Sequence, residues 1–520
     1  MSVENETKEP EPIPEKANDN SIEVAEVADS AAPPSGRQGP AAGNDQVDRL
    51  GTDKVSKLIM QFAIPSIVGM LANGLYNIID GIFMGHGVGP IGLATATVSM
   101  PIMTFSMAVS MLLGGGGNAL VALRLGEGKK DEAERILGIC FTLFVIAGLF
   151  CTTMIQLFME PLVRLSGASD DIIDSCTTFI RIVSAGISLQ FFGMGFNNFI
   201  RTSGAPKRAL LTMITGISVS TALNWLFVLQ LHWGVAGSAW ATVAGQASSC
   251  FMVMHYFFIS KKAPFKLHLR NMPIIPKVAL NIITLGSASF FMQIAMAMLG
   301  MFTNNLIVHY GTLSPIGLEG ALAALGVVAR VQQFSFFPIM GCAVAAQPLI
   351  GYNYGAKNYP RVKRAYWTAF VWMISFGTFF WILVHAFPEQ IAFIFGVKEE
   401  LLEYVAHALR IQLMMLPVMG MQPLSANFFQ STGQPLKSLL LSLTRQILYM
   451  VPLIYFLPIV LPMLFPDLLI GLDGIIFAYP CSDTLSVLTA ALLIRREFKI
   501  IDRKAAALAT EQPGLVAEAI

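Results

Sequence analysis

Two stretches of the chain, Asn198-Phe-Ile-Arg-Thr-Ser-Gly-Ala-Pro206 and Asn427-Phe-Phe-Gln-Ser-Thr-Gly-Gln-Pro435, are versions of one segment. Their matching positions lie 229 residues apart, and Gly126 and Gly355 repeat the same spacing. A fixed spacing of this length between similar segments indicates an internal repeat. The sequence therefore predicts a protein built from two related halves.

The composition places both halves in a membrane. Of the 520 residues, 54% are hydrophobic and only 13% are charged, whereas soluble proteins have about 25% charged residues. So few charges exclude a soluble fold of this size and predict an integral membrane protein with many spans. The 34 basic and 33 acidic residues nearly cancel, so we expect no nucleic-acid partner.

Apolar segments of at least about 20 residues, the length needed to cross a bilayer as a helix, recur along the chain. We expect an all-α integral membrane protein of twelve transmembrane helices. Each half holds six, an even number, so both halves enter the membrane from one side as two six-helix lobes related by pseudo-two-fold symmetry. A central cleft between two such lobes suits alternating access. The predicted spans, numbered 1 to 12, are 58–84, 91–118, 135–158, 172–198, 208–231, 234–260, 278–309, 316–348, 364–386, 401–428, 437–462 and 471–496.

The distribution of charge predicts orientation and domain limits. Of the 34 Lys and Arg residues, 28 fall in the tails and in the loops after even-numbered spans, which places both termini in the cytoplasm by the positive-inside rule. We expect a multi-pass protein of the plasma (inner) membrane. The predicted domains are a disordered, acidic cytoplasmic tail (1–52), an N-lobe with spans 1–6 (53–265), a C-lobe with spans 7–12 (266–500) and a second cytoplasmic tail (501–520).

A polar stripe on span 1 is the main candidate for chemistry. Asn73, Asn77 and Asp80 are spaced i, i+4, i+7 and so share one helix face, which must contact protein or water rather than lipid. Desolvation favours the neutral form of a carboxylic acid, so Asp80 can carry a proton or bind a cation. A protonated, purely structural Asp80 is the alternative. For Asp483 in span 12, which has no such stripe, both roles stay open.

The motifs resemble those of the multidrug and toxic compound extrusion (MATE) family. The resemblance covers roughly residues 53–500 of both halves. It is carried by Tyr76-Asn-Ile-Ile-Asp80 with Gly85, by Asn198-Phe-Ile-Arg-Thr-Ser-Gly204, by Gly234-Val-Ala-Gly-Ser-Ala-Trp-Ala-Thr242 and by Gln347-Pro-Leu-Ile-Gly-Tyr-Asn-Tyr-Gly-Ala-Lys-Asn358. It implies a V-shaped pair of lobes that exports cationic, amphipathic drugs or toxic metabolites in exchange for H⁺ or Na⁺, the only cofactors expected.

The resemblance also implies which residues couple the ion. Asp80 matches the family's span-1 carboxylate and Thr242 a span-6 hydroxyl. In span 5, where the family often has an Asn and an Asp, this chain has Ser220 and Asn224. A site with one carboxylate has less charge for Na⁺, a hard cation that prefers oxygen ligands, so we expect H⁺. The full predicted ion-coupling set is Asp80, Asn77, Ser220, Asn224 and Thr242.

The predicted substrate cavity contains Asn73, Tyr76, Gln293 and Arg330. Gln293 is the polar residue of span 7, where some relatives carry a carboxylate. Arg330 lies in span 8, where it either binds an anionic group or donates hydrogen bonds to backbone carbonyls at helix ends. Both interpretations stay open.

Two other functions would require features that the sequence lacks. A flippase or exporter of a lipid-linked or specific metabolite substrate would need several basic residues in the cleft, and only Arg330 and Arg410 qualify. A membrane-embedded enzyme would need catalytic carboxylates, a Ser-His pair or HExxH within spans, and none is found, so no catalytic residue or metal site is predicted. We expect a non-enzymatic monomer whose partners are the bilayer and a small-molecule substrate.

Overall fold

The computed structural model describes residues 45–397, 399–465 and 470–511, and within these ranges every regular element is a helix. Predicted spans 1–6 are helices with the following bounds: Val55–Gly87; Pro90–Gly126; Lys130–Leu157; Ile173–Ala185 followed by Ile187–Gln190, the π-helix Phe191–Gly195 and Phe196–Thr202; Pro206–Asn224 followed by the π-helix Trp225–Gln230; and Gly234–Phe258.

The second half repeats the pattern. Spans 7–12 are Pro276–Thr312; Gly317–Gly355; Tyr359–Ala386; Glu399–Gln412 with Met421–Ser431; Pro435–Leu443 followed by the π-helix Thr444–Met450 and Val451–Leu464; and Gly471–Glu511. Shorter helices lie between or before spans: Asp45–Thr52, Met159–Leu165, the 3₁₀-helix Leu269–Asn271 and Pro388–Ile394.

The repeated segment forms the same connection in both halves. Gly204 and Gly433 have φ of 82° and 77°, a left-handed conformation that glycine adopts without steric cost. Two residues later, Pro206 and Pro435 begin spans 5 and 11, where a missing backbone N–H costs nothing. The segment thus ends one span and starts the next within a few residues.

The twelve predicted spans all correspond to helical segments, although spans 4, 6 and 10 differ from a single straight apolar helix. Within the described ranges, nine helices are long and apolar enough to cross a membrane, and the bent pair of span 4 makes ten. Span 6 carries many hydroxyl and amide side chains, which lower its hydropathy. Span 10 consists of two helices separated by turns at 413–420. Because successive spans alternate in direction, span 1 begins and span 12 ends on one face of the bundle, here named the terminal face.

The structure has two buried apolar clusters, one in each half. Each cluster also includes residues from the beginning of the other half's first span. The cluster of the second half includes Ile59 and Phe62 from the beginning of span 1. The cluster of the first half includes Ile282 and Leu285 from the beginning of span 7. Each half therefore packs the first turns of its leading span against the other half, and the lobe limits at 265 and 266 stay a prediction.

The predicted disordered tail needs a correction at its end. Residues 1–44 lie outside the described ranges, but Asp45–Thr52 is a helix. Leu50 is buried in the second-half cluster, and its carbonyl accepts hydrogen bonds from Asn353 Nδ2 and Arg361 Nη2, both 3.1 Å. Composition averaged over the whole tail concealed this short amphipathic segment. At the other end, span 12 continues as helix to Glu511, into the predicted second tail, of which 512–520 lie outside the description.

The two halves also contact each other near the terminal face, where spans 2 and 8 cross. A Cβ atom on Gly126 would collide with the carbonyl oxygen of Tyr352, and one on Gly355 with that of Leu123. Leu123 and Tyr352 are themselves 229 residues apart, so the two contacts are copies of each other. This crossing, named the glycine crossing, closes the terminal face because only glycine permits such backbone contact.

Candidate functional site

Asp80 lies in span 1 and is bound by side chains from two other spans. Its Oδ1 accepts a hydrogen bond from Asn224 Nδ2 in span 5 (3.0 Å) and from Ser238 Oγ in span 6 (3.4 Å). Asn224 and Ser238 are fully buried. The carboxylate is thus held by neutral donors at the meeting point of three helices.

A second layer lies one helical turn closer to the terminal face. The hydroxyl of Tyr76 is 2.9 Å from Ser220 Oγ and 3.4 Å from Thr242 Oγ1. These three residues come from spans 1, 5 and 6, the same helices that form the Asp80 layer.

The spacing in the sequence explains the two layers. Tyr76 precedes Asp80 by four residues, as Ser220 precedes Asn224 and Ser238 precedes Thr242, and residues four apart share one helix face. Spans 1 and 5 run in one direction and span 6 in the other, so Ser238 meets Asp80 while Thr242 meets Tyr76. We name these six residues the Asp80 cluster.

The electrostatics of the Asp80 cluster suit reversible binding of a positive charge. Within the described residues, Asp80 has no Lys, Arg or His partner, and no group of three or more His, Cys, Asp or Glu could hold a metal ion. Asn224 Oδ1 is buried beside Asp80 and has no hydrogen-bond partner there. A carboxylate and a free amide oxygen can accept a proton or a small cation, while hydroxyl groups reorient around either state.

The structure brings together Asp80, Tyr76, Ser220, Asn224 and Thr242 from the predicted sets. The other predicted residues, Asn73, Asn77, Gln293 and Arg330, make no side-chain hydrogen bond to the rest of the described chain. Gln293 is partly buried and the other three are exposed.

The exposure of these polar residues indicates a water-filled cleft. Polar side chains in a span avoid lipid and face protein or water. Contacts of span 1 with span 8, such as Gly74 with the Phe337 ring and Gly341 with Ile67, lie nearer the terminal face than Asn77 and Arg330. The cleft therefore opens away from the terminal face.

Ser238 was not predicted, although the sequence contained a signal for it. It lies four residues before Thr242 and so on the same face of span 6. Helical spacing from a residue already placed at the site would have found it. The hydrogen bond from Ser238 to Asp80, in contrast, depends on how spans 1 and 6 pack.

The second carboxylate inside the spans, Asp483, has a partner of opposite charge. Arg445 Nε in span 11 donates to Asp483 Oδ1 at 2.5 Å, and Ser482 Oγ donates to the Arg445 carbonyl at 2.9 Å. Asp483 is 2% exposed. A buried carboxylate fixed by a guanidinium joins two helices and is poorly suited to exchange ions.

We expect Asp483→Asn to destabilise the protein by about 3 kcal/mol, because it leaves the partly buried guanidinium of Arg445 without a counter-charge. The double variant Arg445→Met/Asp483→Leu should recover most of that loss, since an apolar pair of similar volume often replaces a buried ion pair at little cost. Thermal unfolding in detergent measures both. A double variant as unstable as the single one would contradict this structural role.

Comparisons with known proteins agree with this architecture. The chain is 22% identical to the multidrug export protein MepA of Staphylococcus aureus (strain MSSA476) over 449 residues, which cover 85% of this chain and 93% of that protein. It is also 22% identical to MepA of Staphylococcus saprophyticus over 457 residues, or 87% and 96% of the two chains.

Solved structures show the same fold. An outward-facing multidrug resistance MATE family transporter of the MOP superfamily superposes with a TM-score of 0.81 at 23% identity, over 88% of this chain and 99% of that one. A MOP superfamily transporter from Pyrococcus furiosus gives a TM-score of 0.80, also at 23% identity, over the same shares. The twelve-helix, two-lobed fold predicted from the sequence is confirmed.

The family comparison covers both halves separately. The MatE family model matches residues 65–226, which include spans 2–4 with most of spans 1 and 5, and residues 288–456, the corresponding part of the second half. The matched residues make up more than half of the chain, and the first match includes Tyr76, Asp80, Ser220 and Asn224. The resemblance predicted from the motifs is therefore confirmed, and the chain belongs to the MatE family.

Proposed function

We propose that the protein is a secondary active antiporter that exports cationic, amphipathic compounds in exchange for protons. The observation that carries the proposal is Asp80, a carboxylate deep in span 1 that neutral donors hold and that no basic residue neutralises within the part of the chain that the structure describes. Such a group can hold a proton or attract a cation. Exchange then follows if the two occupy the Asp80 cluster in turn.

Alternating access provides the movement between the two sides. The glycine crossing closes the terminal face, and the exposure of Asn77 and Arg330 indicates a cleft toward the other face. Rocking of two repeat-related lobes would open the glycine crossing and close the cleft. The charge distribution supports a cytoplasmic terminal face, so the closed crossing represents an outward-open state. We propose the plasma membrane as the location and a monomer as the transporting unit.

Protons are favoured over sodium by the chemistry of the cluster. Na⁺ needs several oxygen ligands with enough negative charge, as hard cations do. The Asp80 cluster has one carboxylate, and Asn224 directs its Nδ2 donor toward it. A proton needs only the carboxylate.

Two observations support a cationic substrate, namely the negative charge of Asp80 and the names of the similar proteins. A cation fits a cleft that leads to a lone carboxylate, and the similar MepA proteins are named multidrug export proteins. Arg330, which is exposed and has no ion pair within the described residues, supports one alternative, an exporter of a lipid-linked or other anionic substrate.

The test is exchange in proteoliposomes that contain the purified protein and ethidium. We expect ethidium movement to follow an imposed pH gradient and to stop when an ionophore collapses that gradient, with little response to a sodium gradient. Movement driven by sodium alone would contradict proton coupling. No movement of ethidium or of other organic cations under either gradient would contradict the cationic substrate class and favour the alternative.

A further inference from the structure

A groove on the surface of the bundle lies along span 1, between span 5 of the first half and span 9 of the second half. It has a volume of about 580 Å³, within the range of about 300–1,000 Å³ typical of ligand sites. Span 1 forms its floor, the beginning of span 5 one wall and span 9 the other. The lining residues are Lys54, Ser56, Lys57, Met60, Gln61, Ile64, Pro65, Lys207 and Trp372.

The groove is basic at its end near the terminal face. Lys54, Lys57 and Lys207 are exposed, and none of their ammonium groups has an ion pair or hydrogen bond within the described residues. The adjacent carboxylate, Asp53, is already paired with Arg49 at 3.0 Å. Three positive charges therefore converge at the groove without local neutralisation.

The groove becomes apolar with depth. Lys54 and Lys57 lie at the beginning of span 1, and Ile64 is about 11 Å further along the helix, at 1.5 Å per residue. Trp372 is 13 positions after the first residue of span 9, Tyr359, or about 20 Å along that helix. The lysines thus lie at the level of lipid head groups and Trp372 at the level of acyl chains.

We propose that this groove binds an anionic phospholipid from the leaflet at the terminal face. The phosphate would contact Lys54, Lys57 and Lys207, and an acyl chain would extend along Ile64 to Trp372. Basic pockets between transmembrane helices bind anionic head groups by this combination of charge and apolar depth. The site is separate from the Asp80 cluster, and it does not depend on the proposed transport function.

The repeat does not copy one of the three lysines, Lys207. Leu436 stands 229 residues after Lys207 and so occupies its place in the repeat. The next residue, Lys437, forms an ion pair with Glu497 at 2.7 Å. The repeat therefore does not reproduce the complete set of three lysines in the other half.

The position of the groove gives the lipid a role in the conformational equilibrium. Lys207 belongs to the first half and Trp372 to the second, so the groove walls separate or approach when the halves move. A ligand that binds one arrangement more tightly shifts the population toward it. An anionic lipid in the groove would stabilise the state with a closed glycine crossing.

The chain's own acidic segment, residues 1–44, is the competing occupant. It would satisfy the lysines, but it has few large apolar side chains to fill the depth near Ile64 and Trp372. An acyl chain fills such a space without a cost in unpaired polar groups. The lipid therefore matches both ends of the groove.

Quenching of Trp372 fluorescence by brominated lipids tests the proposal in the chain of 520 residues. The signal of Trp372 is the difference between the wild type and Trp372→Phe, measured in nanodiscs with either brominated phosphatidylglycerol or brominated phosphatidylcholine. We expect preferential quenching by phosphatidylglycerol. Neutralising all three lysines (Lys54→Gln/Lys57→Gln/Lys207→Gln) should weaken the preference by roughly tenfold or more, since each interfacial lysine contributes about fivefold.

The matched control removes three other exposed lysines of the terminal face, in Lys130→Gln/Lys261→Gln/Lys262→Gln, and should keep the preference. Equal quenching by both lipids in the wild type would overturn the proposal, as would an unchanged preference in the groove variant. A preference that arises only after deletion of residues 1–44 would also overturn it, because the acidic segment would then occupy the groove in the intact chain.

Discussion

Asp80→Asn is expected to abolish ethidium movement driven by a pH gradient, leaving only the signal of empty liposomes. Asparagine keeps the size and the polarity of the side chain but can neither bind nor release a proton. Exchange requires proton and substrate to oppose each other at one site. We therefore expect the affinity of the wild type for ethidium to fall as the pH falls, and the affinity of the variant to be independent of pH.

Coupling free energies between ligands are typically about 1–3 kcal/mol, so the pH effect on wild-type affinity should be about fivefold or more. Equilibrium binding of ethidium in detergent measures it. Asp80→Glu should retain part of the transport, and Asp171→Asn, which changes an exposed acid outside the Asp80 cluster, should retain all of it. Undiminished proton-driven transport in Asp80→Asn would place the coupling group elsewhere.

Gly126→Ala is expected to open the terminal face and to stop transport. The added Cβ would collide with the carbonyl oxygen of Tyr352. A backbone atom, unlike a side chain, cannot relieve the collision by changing rotamer. Overpacking of this kind costs typically about 1–3 kcal/mol, enough to reverse an equilibrium between two conformations. Spin labels at Lys130→Cys and Arg364→Cys, on opposite halves at the terminal face, should report a longer mean distance in the variant.

Gly355→Ala should act in the same way, since its contact with Leu123 is the copy of the first. Gly326→Ala is the matched control, because a Cβ there meets no atom within 4 Å. The control should leave the distance unchanged and stabilise span 8 slightly, as alanine favours helix over glycine by about 1 kcal/mol. If Gly126→Ala kept the wild-type distance distribution, the glycine crossing would not control closure.

The sequence determined much of the fold because its signals are local. The length of each apolar segment predicts where a span lies, and the positive charges in alternate loops predict the direction of each span. The repeat that contains Gly204 and Gly433 predicts that the two halves have the same fold. The same local signals singled out Asp80, whereas Asn224 was found only through the resemblance to the family. The end of the tail was mispredicted because Leu50 is ordered by distant residues, Asn353 and Arg361, whose proximity no local pattern shows.

Pairings between spans could not be predicted for a related reason. Whether Asp483 faces Arg445, or Ser238 faces Asp80, depends on the rotation of each helix about its axis, which side-chain packing over the whole bundle decides. The predicted stripe of Asn73, Asn77 and Asp80 illustrates the limit. Asp80 turns toward spans 5 and 6, whereas the two asparagines are exposed.

Of Asp80 and Asp483, the two carboxylates deep inside the described spans, only Asp80 has no basic partner. If exchange runs through Asp80 as we propose, one proton enters for each monovalent cation that leaves, and the full cycle moves no net charge across the bilayer. Such a transporter is electroneutral. The membrane voltage would then contribute nothing to export, and the concentration ratio that the protein can maintain would equal the proton concentration ratio alone.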